Sequence, residues 1–493
     1  MGELVFASAT DLVAWLQRGE LSSAELLEAL LERIDQVNGP VNAMVTIDAD
    51  AARERARAAD DERARGEAGG ALHGLPITIK DCFETAGIRT TAGAPFLADY
   101  VPQRDADAVG RLRGAGANVF AKTNLPFLTA DGQAYNEVAG QTNNPWDLSR
   151  TPGGSSGGAA AALAAGMTPL DLGSDIAGSI RIPASFCGVY GLKPSYGLIP
   201  LRGHIPGMPG TLAPADINAL GPLARSVDDL ELALDVLAGP SDGDAVAWRL
   251  ELPPARGDRL EGYRVRVWLD DEACPVDRET VATLRRAVDI LSDAGVRVEE
   301  APPPVPLADS IRLHRMMLKG VACSGLDDEQ FAALQAFAAS ADPDDHGVHA
   351  DHARWLTMTK RDWNLANEER AKARAAWAEF FTDYDGFLSP TILCPAIHHD
   401  HTPLLEDRVI SVNGEERPYW DQVCWIAPAT AAYLPAVSMP GGSTASGLPV
   451  GLQITGPYLE DRTVLDLARR LDVVLGGFVA PADPAIAQVP QEA

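Results

Sequence analysis

Residues Ser149 to Gly197 read SRTPGGSSGGAAAALAAGMTPLDLGSDIAGSIRIPASFCGVYGLKPSYG. The stretch opens on a glycine-rich loop that carries Ser155 and Ser156 between Gly153-Gly154 and Gly157-Gly158. Small residues over 157–166 predict a helix that lets neighbouring backbones approach closely. A second serine, Ser179, stands behind Asp175-Ile176-Ala177-Gly178. Upstream, the apolar run Leu75-Pro76-Ile77-Thr78-Ile79 predicts a strand ending in Lys80. Strand alternation points Thr78 and Lys80 to one face and Ile77 and Ile79 to the other. Two hydroxyls and an amine can form a hydrolase that needs neither histidine nor metal. The amine must then be neutral, and burial behind an apolar strand favours that form.

The rest of the chain reads as alternating helices and strands. Thr10 is a candidate cap for a helix from Asp11, and Ser22 for one through Leu26, Leu27, Leu30, Leu31 and Ile34. Residues 49–66 read as an exposed helix, 107–122 as helix, turn and strand, and 226–238 and 277–294 as amphipathic helices. One long helix is expected over 353–381. Strands are expected at 265–269, 296–299, 387–388 and 450–454, and a closing helix over 463–474. The pattern predicts an α/β fold: a single α/β/α domain around a large mixed, mostly parallel twisted sheet covered by helices on both faces. Residues 1–70 are expected as a helical region packed on the core and a candidate dimer contact. Residues 71–480 form the core and 481–493 a tail.

Composition narrows the partners. The chain has 493 residues, 46% of them hydrophobic, and a net charge of −28. Such an acidic surface repels nucleic acid and anionic membranes. Six cysteines without a C-x-x-C pair argue against structural zinc and for a reducing compartment. The start lacks a basic, apolar leader, and the longest alanine-rich run is too short to span a bilayer. A cytoplasmic protein with no nucleic-acid or membrane partner is the expectation.

Further motifs extend the pattern. Gly173-Ser174-Asp175-Ile176-Ala177-Gly178-Ser179-Ile180-Arg181-Ile182-Pro183 leads into Phe186-Cys187-Gly188-Val189-Tyr190-Gly191-Leu192-Lys193-Pro194. Gly74-Leu75-Pro76-Ile77, Lys122-Thr123-Asn124, Asn144-Pro145-Trp146 and Gly447-Leu448-Pro449-Val450-Gly451-Leu452-Gln453 stand in matching order. Over about residues 10–475 the chain resembles the amidase signature family. The resemblance implies cofactor-free hydrolysis of a C–N amide bond. By motif, Ser179 would be the nucleophile, Ser155 the bridging serine after a cis Gly154–Ser155 bond, and Lys80 the base. The N–H groups of Ile176, Ala177, Gly178 and Ser179 are the candidates for the oxyanion hole. Gly153, Gly154 and Tyr135 are candidate substrate contacts, with Ser156, Asp175 and Arg181 supporting the loops.

Two residues depart from the family pattern: Ala177 replaces a usual glycine, and Phe127 a frequent glutamate. Specificity is expected in 200–220, 305–350 and 395–430, where Ile205, Met208, Leu212, Met316, Met317, Trp420 and Trp425 favour a hydrophobic or aryl amide, anilide or carbamate. Esterase and urethanase activity would follow from the same acyl-enzyme. Three alternatives compete. Gly153-Gly154-Ser155-Ser156-Gly157 fits G-x-S-x-G, but turn-rich residues rather than a strand precede it. A phosphate loop needs Lys-Ser/Thr where Ala159-Ala160 stand. An amidotransferase subunit working with a partner usually carries Gln where this chain has Ile182. His346, His349 and His352, and His398, His399 and His401, have metal-like spacing, but the first set lies in an Asp-rich stretch expected to be exposed and the second in a loop, so no metal is expected. A homodimer is the expected assembly.

Overall fold

The computed structural model describes residues 2–482. Its centre is one sheet of eleven strands. In chain order these are β1 (Met44–Ile47), β2 (Pro76–Lys80), β3 (Asn118–Thr123), β4 (Leu170–Asp175), β5 (Tyr190–Lys193) and β6 (Ala219–Ala224). They continue as β7 (Arg264–Val267), β8 (Arg297–Glu300), β9 (Gly386–Pro390), β10 (Ala436–Ser443) and β11 (Pro449–Thr455). The order across the sheet is β1-β3-β2-β4-β6-β5-β10-β11-β9-β7-β8. Every residue of β2, β3, β4 and β6 is buried, as strands covered on both faces require.

The sheet is mixed as expected, but its balance differs from the sequence reading. Parallel pairing is confined to two trios, β3-β2-β4 and β9-β7-β8. Every other neighbouring pair is antiparallel, so the sheet is not mostly parallel. The reason lies in the connections. Only residues 444–448 join β10 to β11, too few for the crossover that parallel strands need.

The helices mostly fall where periodicity places them, with differences at their ends. The first long helix is Ala9–Arg18, capped by Ser8 and not Thr10, because the Ser8 hydroxyl accepts from Asp11 N. Thr10 turns inward and donates to Asp229 instead. Ser22 and Glu25 form a reciprocal capping box at Ser23–Val41. The single helix expected over 353–381 is two, Val348–Leu356 and Lys360–Phe380. Thr359 breaks it, capping the second piece in a box with Asp362. Residues 305–350 hold two further helices, Leu307–Ala322 and Asp328–Ser340. The N-terminal region is not purely helical, since β1 lies within it and forms a sheet edge. Most of the expected 481–493 tail lies outside the described residues.

Candidate active site

The parallel trio β3-β2-β4 aligns three carboxyl ends: Thr123, Lys80 and Asp175. In open α/β sheets ligands bind beyond this edge. Lys80 closes β2 and is fully buried. Its Nζ donates to Ser155 Oγ at 2.7 Å and to Ser174 Oγ at 3.1 Å. Burial lowers its pKa, against the opposing pull of Cys82, Asp175 and Asp171. The face alternation read from sequence holds: Thr78 Oγ1 donates to Asp171 at 2.5 Å on the side where Lys80 lies. Burial pushes the Asp171 carboxyl up to about 7, although Thr78 and Thr123 hydroxyls stabilise its charge.

Ser155 sits just ahead of helix Gly157–Ala164, after a cis Gly154–Ser155 peptide. Backbone crowding dictates the glycines. A Cβ on Gly154 would lie 2.6 Å from Gln133 N, and one on Gly158 would lie 2.3 Å from Asn124 N. Side chains cannot enter such gaps.

Ser179 follows the turn after β4. Gly178 there has φ +90°, a left-handed conformation that favours glycine. The next helix, Arg181–Cys187, has its first N–H groups capped by Asp175 rather than by Ser179. Asp175 accepts from the N–H groups of Gly178 (3.0 Å), Ile180 (3.2 Å) and Arg181 (3.3 Å). It also accepts from Arg181 Nε at 3.0 Å and Nη2 at 2.9 Å. Burial would raise this carboxyl; the Arg181 charge and hydrogen bonds outweigh it and hold it at about 2. Arg181 also donates to Ile426 O, Gln453 Oε1 and Thr430 Oγ1. With the cap supplied by Asp175, the Ser179 hydroxyl makes no hydrogen bond among the described residues and stays 7% exposed. Ser156 N donates to Ser179 O at 3.0 Å and ties the two serine loops together.

The four candidate oxyanion donors differ. Gly178 N–H is engaged by Asp175, whereas the N–H groups of Ile176, Ala177 and Ser179 have no acceptor among the described residues. His314 Nε2, 2.9 Å from Ile176 O, fixes the Ile176 peptide from behind. Burial lowers the His314 pKa to about 4, so the ring is neutral and donates through this nitrogen at pH 7. The Ala177 methyl packs against a cluster that includes Ile182, Trp425 and Ile426.

Tyr135 stands further out. Its hydroxyl accepts from Arg408 Nη2 at 2.8 Å, and its ring stacks on His401 at 3.9 Å. Arg408 also binds Asp131 at 2.6 Å, which takes a further bond from Tyr419. Phe127 is half exposed and edge-on to Phe96. Ser174, Asp171 and His314 were missed by sequence reasoning. Ser174 had a signal, since it lies next to Asp175 in the motif; His314 had none, because it comes from a distant helix.

Comparison with known proteins shows the family. The family model described as Amidase matches residues 25–465. The chain is therefore an amidase-signature hydrolase and belongs to the Amidase family. It is similar to the acylamidase of Rhodococcus erythropolis, at 34% identity over 96% of both chains. It is also 35% identical to a glutamyl-tRNA(Gln) amidotransferase subunit from Roseiflexus sp. (strain RS-1), over 91% of this chain and 92% of the relative. Among solved structures, a bacterial aryl acylamidase of the amidase signature family superposes with a TM-score of 0.79 at 27% identity, covering 98% of this chain and 99% of that one. No described helix is long and apolar enough to cross a membrane.

Proposed function

We propose that the chain hydrolyses hydrophobic or aryl carboxylic amides through a Ser179 acyl-enzyme, with Ser155 and Lys80 moving the proton. One observation carries the reading: a sealed amine hydrogen-bonded to Ser155, in a loop tied to that of Ser179. A serine hydroxyl needs a base to become nucleophilic. Neutral Lys80 accepts the Ser155 proton while Ser155 takes that of Ser179, whose Oγ bonds to the carbonyl carbon. The carbonyl electron pair moves onto oxygen, facing the N–H groups of Ile176, Ala177 and Ser179. Collapse breaks the C–N bond, and the proton returns through Ser155 to the leaving amine. Water then releases the acid by the same relay. Carbamates and esters fit the same steps.

The test is turnover of an aryl anilide by the isolated chain, with Ser179→Ala as blank. Mass spectrometry of the trapped intermediate should place the acyl group on Ser179. An adduct on another residue rejects the scheme. A second reading, a subunit that needs a partner, draws support from the relatives named as amidotransferase subunits. Anilide turnover by the isolated chain would exclude it. A homodimer and a cytoplasmic location remain part of the proposal.

A further inference from the structure

A cavity of about 430 Å³ lies between helices Leu307–Ala322 and Val348–Leu356 and residues 405–423. That volume suits a small organic ligand. Trp355, Leu405 and Val423 give it apolar walls. Four basic side chains also line it: Arg315, Lys319, Arg408 and Arg417. Three are paired with carboxylates, two of them sharing one. Asp421 holds Arg315 at 3.0 Å and Arg417 at 2.7 Å, and Asp131 holds Arg408 at 2.6 Å.

Lys319 is different. Its ammonium makes no hydrogen bond or ion pair among the described residues, and it lies over the Trp420 ring at 5.9 Å. Two more donors in the same wall, Arg315 Nε and Trp420 Nε1, are buried without an acceptor. The acids of the lining do not offset this. Asp351 is bound by Arg354 at 3.3 Å, Glu416 is exposed, and Glu406 faces His352 at 3.5 Å. Glu406 attracts Lys319 without reaching it as an ion pair. Burial lowers the Lys319 pKa, the mark of a cation short of compensation.

We propose that this cavity is a binding site for a small apolar carboxylate, with the Lys319 ammonium as its charge partner. The site borders the candidate active site. Arg408 and Tyr419 line the cavity and both grip Asp131, whose carbonyl would be 2.8 Å from a Cβ on Gly154. Any effect of the bound carboxylate on turnover rests on the amide-hydrolysis reading; the binding itself does not.

The experiment is calorimetric titration of the Ser179→Ala protein with 2-naphthoate and its neutral isostere 2-naphthamide. A hydrogen-bonded, partly desolvated charge pair predicts about tenfold tighter binding of the acid. Lys319→Met should equalise the two, and Lys319→Arg should keep the preference. An unchanged melting temperature certifies that each variant is folded. The proposal is overturned if the amide binds as tightly as the acid, if Lys319→Met keeps the preference, or if neither binds at about millimolar concentration. The source of the carboxylate is read separately, on active enzyme with a neutral anilide. Competitive inhibition by 2-naphthoate identifies the substrate's own remote end, and non-competitive inhibition a released acid; both support the site. Absence of anilide turnover with binding intact would refute the amidase reading and leave the carboxylate site standing.

Discussion

Asp175→Ala removes the carboxylate on which the Ser179 loop is built. That carboxylate accepts five hydrogen bonds, three from backbone N–H groups and two from Arg181, and both partners of the ion pair are fully buried. Truncation leaves the Arg181 guanidinium inside the protein with only neutral acceptors. Breaking a buried pair from one side costs about 3–5 kcal/mol, and the lost helix cap lies within that range rather than on top of it. The pKa gives an independent figure. A carboxyl held at about 2 rather than 3.8 contributes about 2 kcal/mol at neutral pH. The pKa is depressed, so this contribution is complete above pH 3.8 and disappears as pH falls through about 2. Urea midpoints of wild type and variant should thus differ strongly at pH 7 and converge towards pH 2. Asp175→Ala/Arg181→Met should recover part of the loss by removing the stranded charge. A cost under about 1 kcal/mol, or a double variant that merely sums the two single losses, refutes the reasoning.

Other outcomes follow from the same geometry. Lys80→Met should lower anilide kcat by about 10²–10⁴-fold while retaining wild-type stability, since it removes a desolvated amine. In wild type, kcat/KM should rise with pH through the lowered Lys80 pKa, because only the neutral amine accepts a proton; a flat profile in the anilide assay counts against it. Gly154→Ala should cost about 1–3 kcal/mol in denaturant titration and abolish turnover, because its Cβ meets backbone and not a movable side chain. Five of the six cysteines are buried, so the native chain should titrate about one thiol with Ellman's reagent, Cys323, and all six once unfolded. Rapid modification of Cys82, whose pKa burial raises to about 11, would contradict the sealed environment of Lys80.

What the sequence reveals depends on how local the cause is. The Ser22 cap and the small-residue helix read over 157–166, observed as Gly157–Ala164, are determined by neighbours in the chain, and both form where the sequence places them. Thr10 failed as a cap because Asp229, far along the chain, offers its hydroxyl a buried carboxylate. The residues of β5 and β6 carry Gly and Pro, poor strand signals, and they form strands because neighbours on each side complete their ladders. The catalytic candidates were legible by motif. The lowering of the Lys80 pKa by burial was legible too, but the choice between Gly178 and its neighbours as candidate oxyanion donors was not, because it depends on where Asp175 points.

The same small residues that let the loops pack also make the chemistry available. A Cβ on Gly173 would lie 2.9 Å from Ser156 Oγ, and one on Gly158 would strike Asn124. Both glycines therefore hold the serine loop hard against β3 and β4. That contact excludes water from Lys80, and exclusion of water lowers its pKa. A methyl at either position would push the loop outward, admit water and move the Lys80 pKa back towards its ordinary value, so on the proposed mechanism the variant would lose activity before it lost its fold. Ala177 is the informative contrast. Its methyl packs against an apolar cluster that includes Ile182, Trp425 and Ile426, so this turn accommodates a side chain where a Cβ on Gly154 or Gly158 would meet backbone.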